Sequence, residues 1–348
     1  MTIGARVLKT GLAVAFAMFL SNFFGFDSPV IAAVASIFTI QPSIYRSWQQ
    51  VLDQVQSNML GAAVALGAVQ LIGSGPIAIG IVCVAVILIN IRLKMEGAIG
   101  LTLVTVVAVM EAHSQGWPFA LERFLMVMTG MGAAFFVNVL LFPPRPKRQF
   151  TLQVHEAHRK LSLLLRTAIS NEIKEQVYRE EKDALHGTLR KLDERFTLFE
   201  EERAVRPRKK LERARQLLVS KQMIKALQKG ADLLDVVEEH YFSAPGAEEW
   251  AGRFDRQIEE LTKYHEHILL KSEGKMKPGV QIEPEEEREE RFVRQLTDYL
   301  EEDPALHKRL IFVASSLFEY GYHLRRLEKL LDQVRERERP QKVSESEL

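Results

Sequence analysis

The sequence predicts an all-α protein of two unlike parts, a membrane domain of six apolar segments followed by a cytoplasmic helical bundle. Three observations lead there. Charge is almost absent from the first 144 residues and dense afterwards, so a net charge of +1 and a mean hydropathy near zero average over two opposite compositions. The apolar part is cut into runs by Gly, Pro and charged residues, several of them too short to span a bilayer, where about 20 residues are needed. The charged part carries helical periodicity and nothing that reads as a strand.

Between Met1 and Pro144 the basic residues are Arg6, Lys9, Arg46, Arg92, Lys94 and Arg123, and the acids are Asp27, Asp53, Glu96, Glu111 and Glu122. The apolar segments between them run over about 7–24, 29–41, 51–72, 77–91, 97–110 and 119–142. The first, third and sixth are long enough to span, and the second, fourth and fifth are short. Arg6 and Lys9 ahead of "AVAFAMFL" suit a signal anchor retained as the first membrane helix, since further spans follow it. The second segment, "PVIAAVASIFTIQPS", lies between Pro29 and Pro42 and is apolar all round, which suits a discontinuous or re-entrant half-helix.

Alternate crossings put Arg6, Lys9, Arg46, Arg92, Lys94, Arg145, Lys147 and Arg148 on one side. The opposite loops, "GFDS", "GSG" and "EAHSQGW", have no Lys or Arg, and only Arg123 lies near that face. This positive-inside bias predicts a multi-pass plasma-membrane protein with both termini in the cytoplasm. "MLGAAVALGAVQLI" at Met59 resembles "GMGAAFFVNVLLF" at Gly130, and the same offset carries the second segment onto the fifth, at "GAIGLTLVTVVAVM". Three segments per copy would make the two copies inverted, an arrangement typical of transporters.

From Arg145 to about residue 336 the pattern is helical. "LERARQLLVSKQMIKALQKGADLLDVVEEHYF" sets Leu211, Leu218, Leu227, Leu234 and Val237 toward one side. Breaks at Pro207, "SAPG", "GKMKPGVQIEP" and "EDP" divide this part into about five helices, enough for an antiparallel bundle with its own core. The loop 272–284 is expected to be flexible and the polar tail 337–348 disordered.

Several stretches in order, "RVLKTGLAVAFAMFL", "PVIAAVASIFTIQPS" and "LGAAVALG", resemble the aromatic acid exporter family. Its membrane domain is similar to fusaric-acid-resistance proteins and, more distantly, to the malate-permeable channels of plants. The charged half resembles the cytoplasmic domain of the Gram-positive branch. The resemblance implies a homodimeric exporter of small organic or aromatic acids, with a route lined by short helices. Relatives often carry a basic residue at the start of the third segment, whereas this chain reads "QVLDQVQSN" and offers no cation there.

The residues suited to that chemistry are few. An anion crossing a bilayer needs a cation to offset its desolvation, which singles out Lys9, with Arg6 one turn earlier. The competing reading is that Lys9 snorkels to the interface and only fixes orientation. Arg92 and Lys94, beside Glu96, would gather anions at the cytoplasmic mouth or serve only as topological signals, and Arg46 has the same two readings. Gln41 and Asn90 are polar groups near short-segment ends, able to bond a substrate or freed backbone. Asp53, Glu111 and Glu122, the last two flanking His113, are candidates for proton coupling. Gly61 and Ala62, with Gly130 and Gly132, supply small faces for close helix packing.

Other classes find little support. No Walker loop or HExxH is present, no metal or other cofactor is implied, and no nucleophile–base pair stands out, so no enzyme is read. Cys83, the only cysteine, excludes a disulfide within the chain. The histidines of the charged half read as solvated surface residues. Acids interleave with the runs "RPRKKLERARQ" and "EPEEEREER", which speaks against nucleic acid. The expected partners are organic acid anions, the lipid bilayer and a second copy. The rival function is a membrane-anchored helical interaction or sensor protein that transports nothing.

Overall fold

The computed structural model describes residues 4–26, 28–41, 43–112, 116–141, 146–169, 174–201, 207–277 and 286–345. All regular structure among them is helical, and the chain divides into two compact units, Met1–Arg145 and Pro146–Leu348.

The first unit contains α1 (Ala5–Phe23), α2 (Pro29–Thr39), α3 (Ile44–Ile72), α4 (Pro76–Arg92), α5 (Ile99–Glu111) and α6 (Gly116–Phe136). Local chemistry sets these limits. Pro29 and Pro76 occupy the first helical position, where a missing N–H costs nothing. α2 stops at Thr39 because Ile40 is extended and Pro42 follows, which disfavours helical backbone at Gln41. α3 restarts at once, its Ser43 hydroxyl accepting the Arg46 N–H at 3.1 Å, so it begins seven residues before the predicted third segment. It ends at Gly73, whose φ of 79° suits glycine. α6 continues as a π-helical turn over Val137–Leu141.

Among the described residues, two helices are long and apolar enough to cross a membrane, Ile44–Ile72 and Trp117–Leu141. The first segment, expected to qualify, has a shorter apolar stretch, Val7–Phe23. The helices sort into two groups of three: α2 packs along α6 and α1, and α5 packs along α3 and α4. The closest approaches use glycine. A Cβ on Gly130 of α6 would lie 2.1 Å from the Ala32 carbonyl oxygen of α2, and one on Gly61 of α3 would lie 2.6 Å from Thr102 Cγ2 of α5. Many large apolar side chains stay exposed, Leu71 at 86% and Ile77 at 81% among them, a surface suited to lipid or a partner rather than to water.

The second unit is built from α7 (Pro146–Ala168), α8 (Glu175–Glu201), α9 (Pro207–Val236, then a π turn to Tyr241), α10 (Ala247–Ser272), α11 (Glu286–Glu302) and α12 (Pro304–Glu345). It has one more helix than predicted, because the first stretch breaks between Ala168 and Glu175 without proline or glycine. α12 stays helical to Glu345, past the predicted start of the disordered tail, while most of the expected flexible loop lies outside the described residues. One continuous core includes Leu161, Leu165, Phe254, Tyr264, Leu317 and Tyr320. Gly230 lets α9 approach α7, since a Cβ there would lie 2.5 Å from Leu161 Cδ2.

Two expectations for this unit are corrected. Leu227, Leu234 and Val237 are buried, but Leu211 and Leu218 are exposed. Leu218 and Leu227 are nine residues apart, about two and a half turns, which puts them on opposite faces. The histidines are not all solvated, for His158, His265, His307 and His323 are buried. His158 and His265 pack edge-on at 4.6 Å, and His265 Nδ1 shares a 2.8 Å hydrogen bond with the Tyr320 hydroxyl. Burial pushes His158 down to about 4 and His265 well below the ordinary value.

Candidate functional site

The break between α2 and α3 frees backbone carbonyls inside an apolar domain, and polar side chains gather to meet them. Asn138, on the π turn after α6, donates to the Gln41 carbonyl at 3.2 Å and to Ser47 Oγ at 2.8 Å. Ser47 Oγ in turn donates to the Thr39 carbonyl at 3.4 Å. Unsatisfied carbonyls are costly where water is absent, so this arrangement holds the end of the short helix. The Asn138 side-chain oxygen accepts from Lys9 Nζ at 3.2 Å. Lys9, half-buried on α1, is thus directed toward the end of α2 and a π turn, a helix distortion that recurs at functional sites.

A polar stripe on α3 starts at this junction. Ser47, Gln50, Gln54, Ser57 and Asn58 recur at spacings of three and four, then give way to Gly61. Ser47, Gln54, Ser57 and Asn58 are each fully buried. From Ser47 to Asn58 the stripe rises about 16 Å along the axis. Gln50 Nε2 donates to the Gly97 carbonyl at 3.0 Å, just ahead of α5. Ser57 Oγ donates to Asn90 Oδ1 of α4 and pairs with Thr102 Oγ1 of α5, both at 2.6 Å. Thr105 donates to Asn58 Oδ1 at 2.7 Å, and Asn58 Nδ2 donates to the Gln54 side-chain oxygen at 2.8 Å. The chain of bonds leaves Gln54 Nε2, buried, without a hydrogen-bond partner among the described residues. A buried amide N–H left over in an otherwise paired network is a donor available to an anionic or carbonyl oxygen.

The sequence-derived residues distribute unevenly around this network. Lys9 and the Gln41 backbone meet at the Asn138 junction, with Arg46 in the first turn of α3 beside Ser47. Asn90 joins the stripe through Ser57. Arg6 lies in the first turn of α1. Arg92 and Lys94 are exposed at the end of α4, with Lys94 at a φ of 60°. Asp53 is half-buried on α3 next to Gln54, Glu122 is half-buried, Glu111 is exposed, and His113 lies outside the described residues. Gly61, Ala62 and Gly130 are buried between helices, but Gly132 is exposed and a Cβ there would meet nothing within 4 Å.

Gln54, Ser57, Asn58, Thr102, Thr105 and Asn138 were not singled out by the charge-based reading. For the α3 residues and Asn138 the sequence carries a signal: amides and hydroxyls at helical spacing within "SWQQVLDQVQSN", and one asparagine inside the apolar run "FFVNVLLF"; Thr102 and Thr105, threonines in an apolar run, carry none.

Residues 1–141 match the family model described as aromatic acid exporter family member 1. The UPF0421 protein YgaE of Bacillus subtilis is 31% identical over 342 residues, covering 95% of each chain. A UPF0421 protein of Oceanobacillus iheyensis is 29% identical over 163 residues, 46% of each chain. Another, from Halalkalibacterium halodurans, is 30% identical over 144 residues, covering 41% of this chain and 40% of its own. With a match to the exporter model across the first unit and a relative aligned over nearly the full length, the chain belongs to the aromatic acid exporter family, alongside the UPF0421 proteins.

Proposed function

We propose that the chain is a secondary transporter that exports small organic or aromatic acids across the plasma membrane. The observation that carries this reading is the buried polar stripe of α3. It begins at the Lys9–Asn138 contact and includes the spare donor Gln54 Nε2. In lipid, hydrogen bonds between helices serve as glue, and a glue network has no use for a fully buried, unpartnered amide donor. An acid anion would exchange its hydration for the Lys9 ammonium and then for N–H and O–H donors along α3, including Gln54.

The helix grouping supports two inverted three-segment repeats. α3 would correspond to α6 and α2 to α5, with Gly61 against Thr102 matched by Gly130 against Ala32. In that arrangement both termini are cytoplasmic, with Arg46, Arg92 and Lys94 on the same side, where the two exposed cations would collect anions. Asp53, beside Gln54, is the carboxylate best placed for proton coupling, and the exposed apolar surface would serve lipid and a second copy.

Accumulation of radiolabelled benzoate and 4-hydroxybenzoate in inverted membrane vesicles tests the proposal. A proton gradient should drive uptake, and Lys9→Gln or Asn138→Ala should lower it at least about tenfold, the scale of one lost charge-assisted contact. Absence of gradient-dependent uptake across a broad acid panel would favour the anchored, non-transporting alternative. Unchanged uptake in Lys9→Gln would remove Lys9 from the route.

A further inference from the structure

The second unit contains a cavity of about 520 Å³, within the range that takes small organic ligands. It opens where α7, α9, α10 and α12 diverge. Its floor is apolar, with Phe150, Val154, Met223, Leu269 and Leu331 all buried. Its rim carries the cations Lys147, Lys275 and Arg335 against one carboxylate, Glu273.

That carboxylate is already engaged. Glu273 Oε1 meets His155 Nε2 at 2.7 Å, and Oε2 meets Lys275 Nζ at 2.5 Å. The Lys275 ammonium paired with it holds it below the usual carboxylate range. Arg335 is fixed by donation to the Lys271 carbonyl, and Lys147 has one long bond, 3.5 Å, to Gln216 Oε1. The rim is therefore net positive, and among the described residues Lys147 and Arg335 keep N–H groups beyond these bonds for an incoming acceptor. Ser220, on the wall, adds a small polar group where a larger side chain would fill the space.

We propose that this cavity is a ligand site for a small aromatic carboxylate, with the ring against the apolar floor and the carboxylate at Lys147 and Arg335. An entirely apolar molecule would leave the rim cations unused, and a small inorganic anion would leave the floor empty. The site would let the second unit sense the acid that the first exports, and that sensing role rests on the export reading, whereas the cavity does not.

The test is calorimetric titration of the full-length protein in detergent with 1-naphthoate, using 1-naphthalenemethanol as the neutral comparator. The carboxylate should bind about tenfold tighter than the alcohol, the scale of a charge-assisted contact. Lys147→Gln, at an exposed position, should remove most of that preference. Ser220→Phe should abolish binding of the alcohol and lower the stoichiometry of naphthoate binding by one site, while circular dichroism shows the helical content unchanged. No binding by the wild type overturns the proposal, as does equal binding of acid and alcohol, or affinities and stoichiometries for both probes that neither substitution changes. Vesicle transport is scored separately. Substitution-sensitive binding in a protein that moves no acid supports the cavity and removes the exporter reading alone.

Discussion

Gly130 and Gly132 look alike in sequence and differ completely in surroundings. A methyl group on Gly130 would lie 2.1 Å from a backbone carbonyl of α2, an atom that cannot swing aside, whereas Gly132 faces open space. Gly130→Ala should therefore cost about 2–3 kcal/mol, as overpacking at a fixed contact does, and lower the melting temperature in detergent, while Gly132→Ala should leave it unchanged. Thermal unfolding followed by size-exclusion chromatography separates the two, and equal melting temperatures would contradict the close approach of α2 to α6. His158 makes a second prediction. Burial is the main cause of its lowered value, about 4, opposed by the nearby Glu266 charge and a backbone hydrogen bond to Thr262, and reinforced by His155 and Arg166. The folded bundle keeps this ring neutral, while the unfolded chain takes up a proton below about pH 6.5. Its contribution is therefore intact above pH 6.5 and falls as pH drops from there toward 4, a loss of roughly 3 kcal/mol in all. His158→Gln should flatten that part of the pH–stability curve, read as melting temperature between pH 7 and pH 4.

At the scale of elements, α3 joins the two groups of helices in the first unit and gives the sharpest separation of stability from transport. Gln54→Leu sacrifices one side-chain bond, from Asn58 Nδ2, yet that nitrogen keeps the Gln54 backbone carbonyl at 2.9 Å. The substitution also removes the spare donor. Stability should change by no more than about 1 kcal/mol while gradient-driven uptake falls at least about tenfold. Parallel losses of melting temperature and flux would instead make the stripe structural. Much at this scale was legible: Pro29, Pro42, "GSGP" and the clustered charges fixed where apolar helices start and stop, because proline geometry and desolvation act locally. The stripe was overlooked because uncharged amides barely change a hydropathy average, and only their spacing on α3 reveals a shared face. The break between Ala168 and Glu175 had no proline or glycine to announce it, and the π turn at Asn138 depends on packing rather than on a local preference. Leu211 and Leu218 misled because seven-residue spacing holds on each side of a nine-residue step that turns the helix over.

At the scale of the whole molecule, the two compositions mark units that bury their surfaces differently. The second has one continuous apolar core drawn from all six of its helices, with aromatic contacts such as Phe254 to Phe292 at 5.3 Å. Ion pairs tie distant segments across its surface. Lys271 bridges Glu328 at 2.6 Å and Asp332 at 2.9 Å, Lys182 reaches Asp235 at 2.7 Å, and Arg325 meets Glu289 at 2.8 Å. These pairs are half-buried, so the cost of desolvating their charges offsets much of the attraction, and the core must supply most of the stability. The first unit lacks that self-sufficiency in water, since its outward side chains include Phe19, Ile77, Leu88 and Leu140. Residues 146–345 expressed alone should therefore be soluble without detergent and melt cooperatively, as a chain of about 200 residues with one core does. Residues 1–145 should require detergent or lipid. A second unit that aggregated or melted without cooperativity would mean that its core is completed by the first, and that the change of composition near Pro144 marks a change of solvent rather than a boundary between folding units.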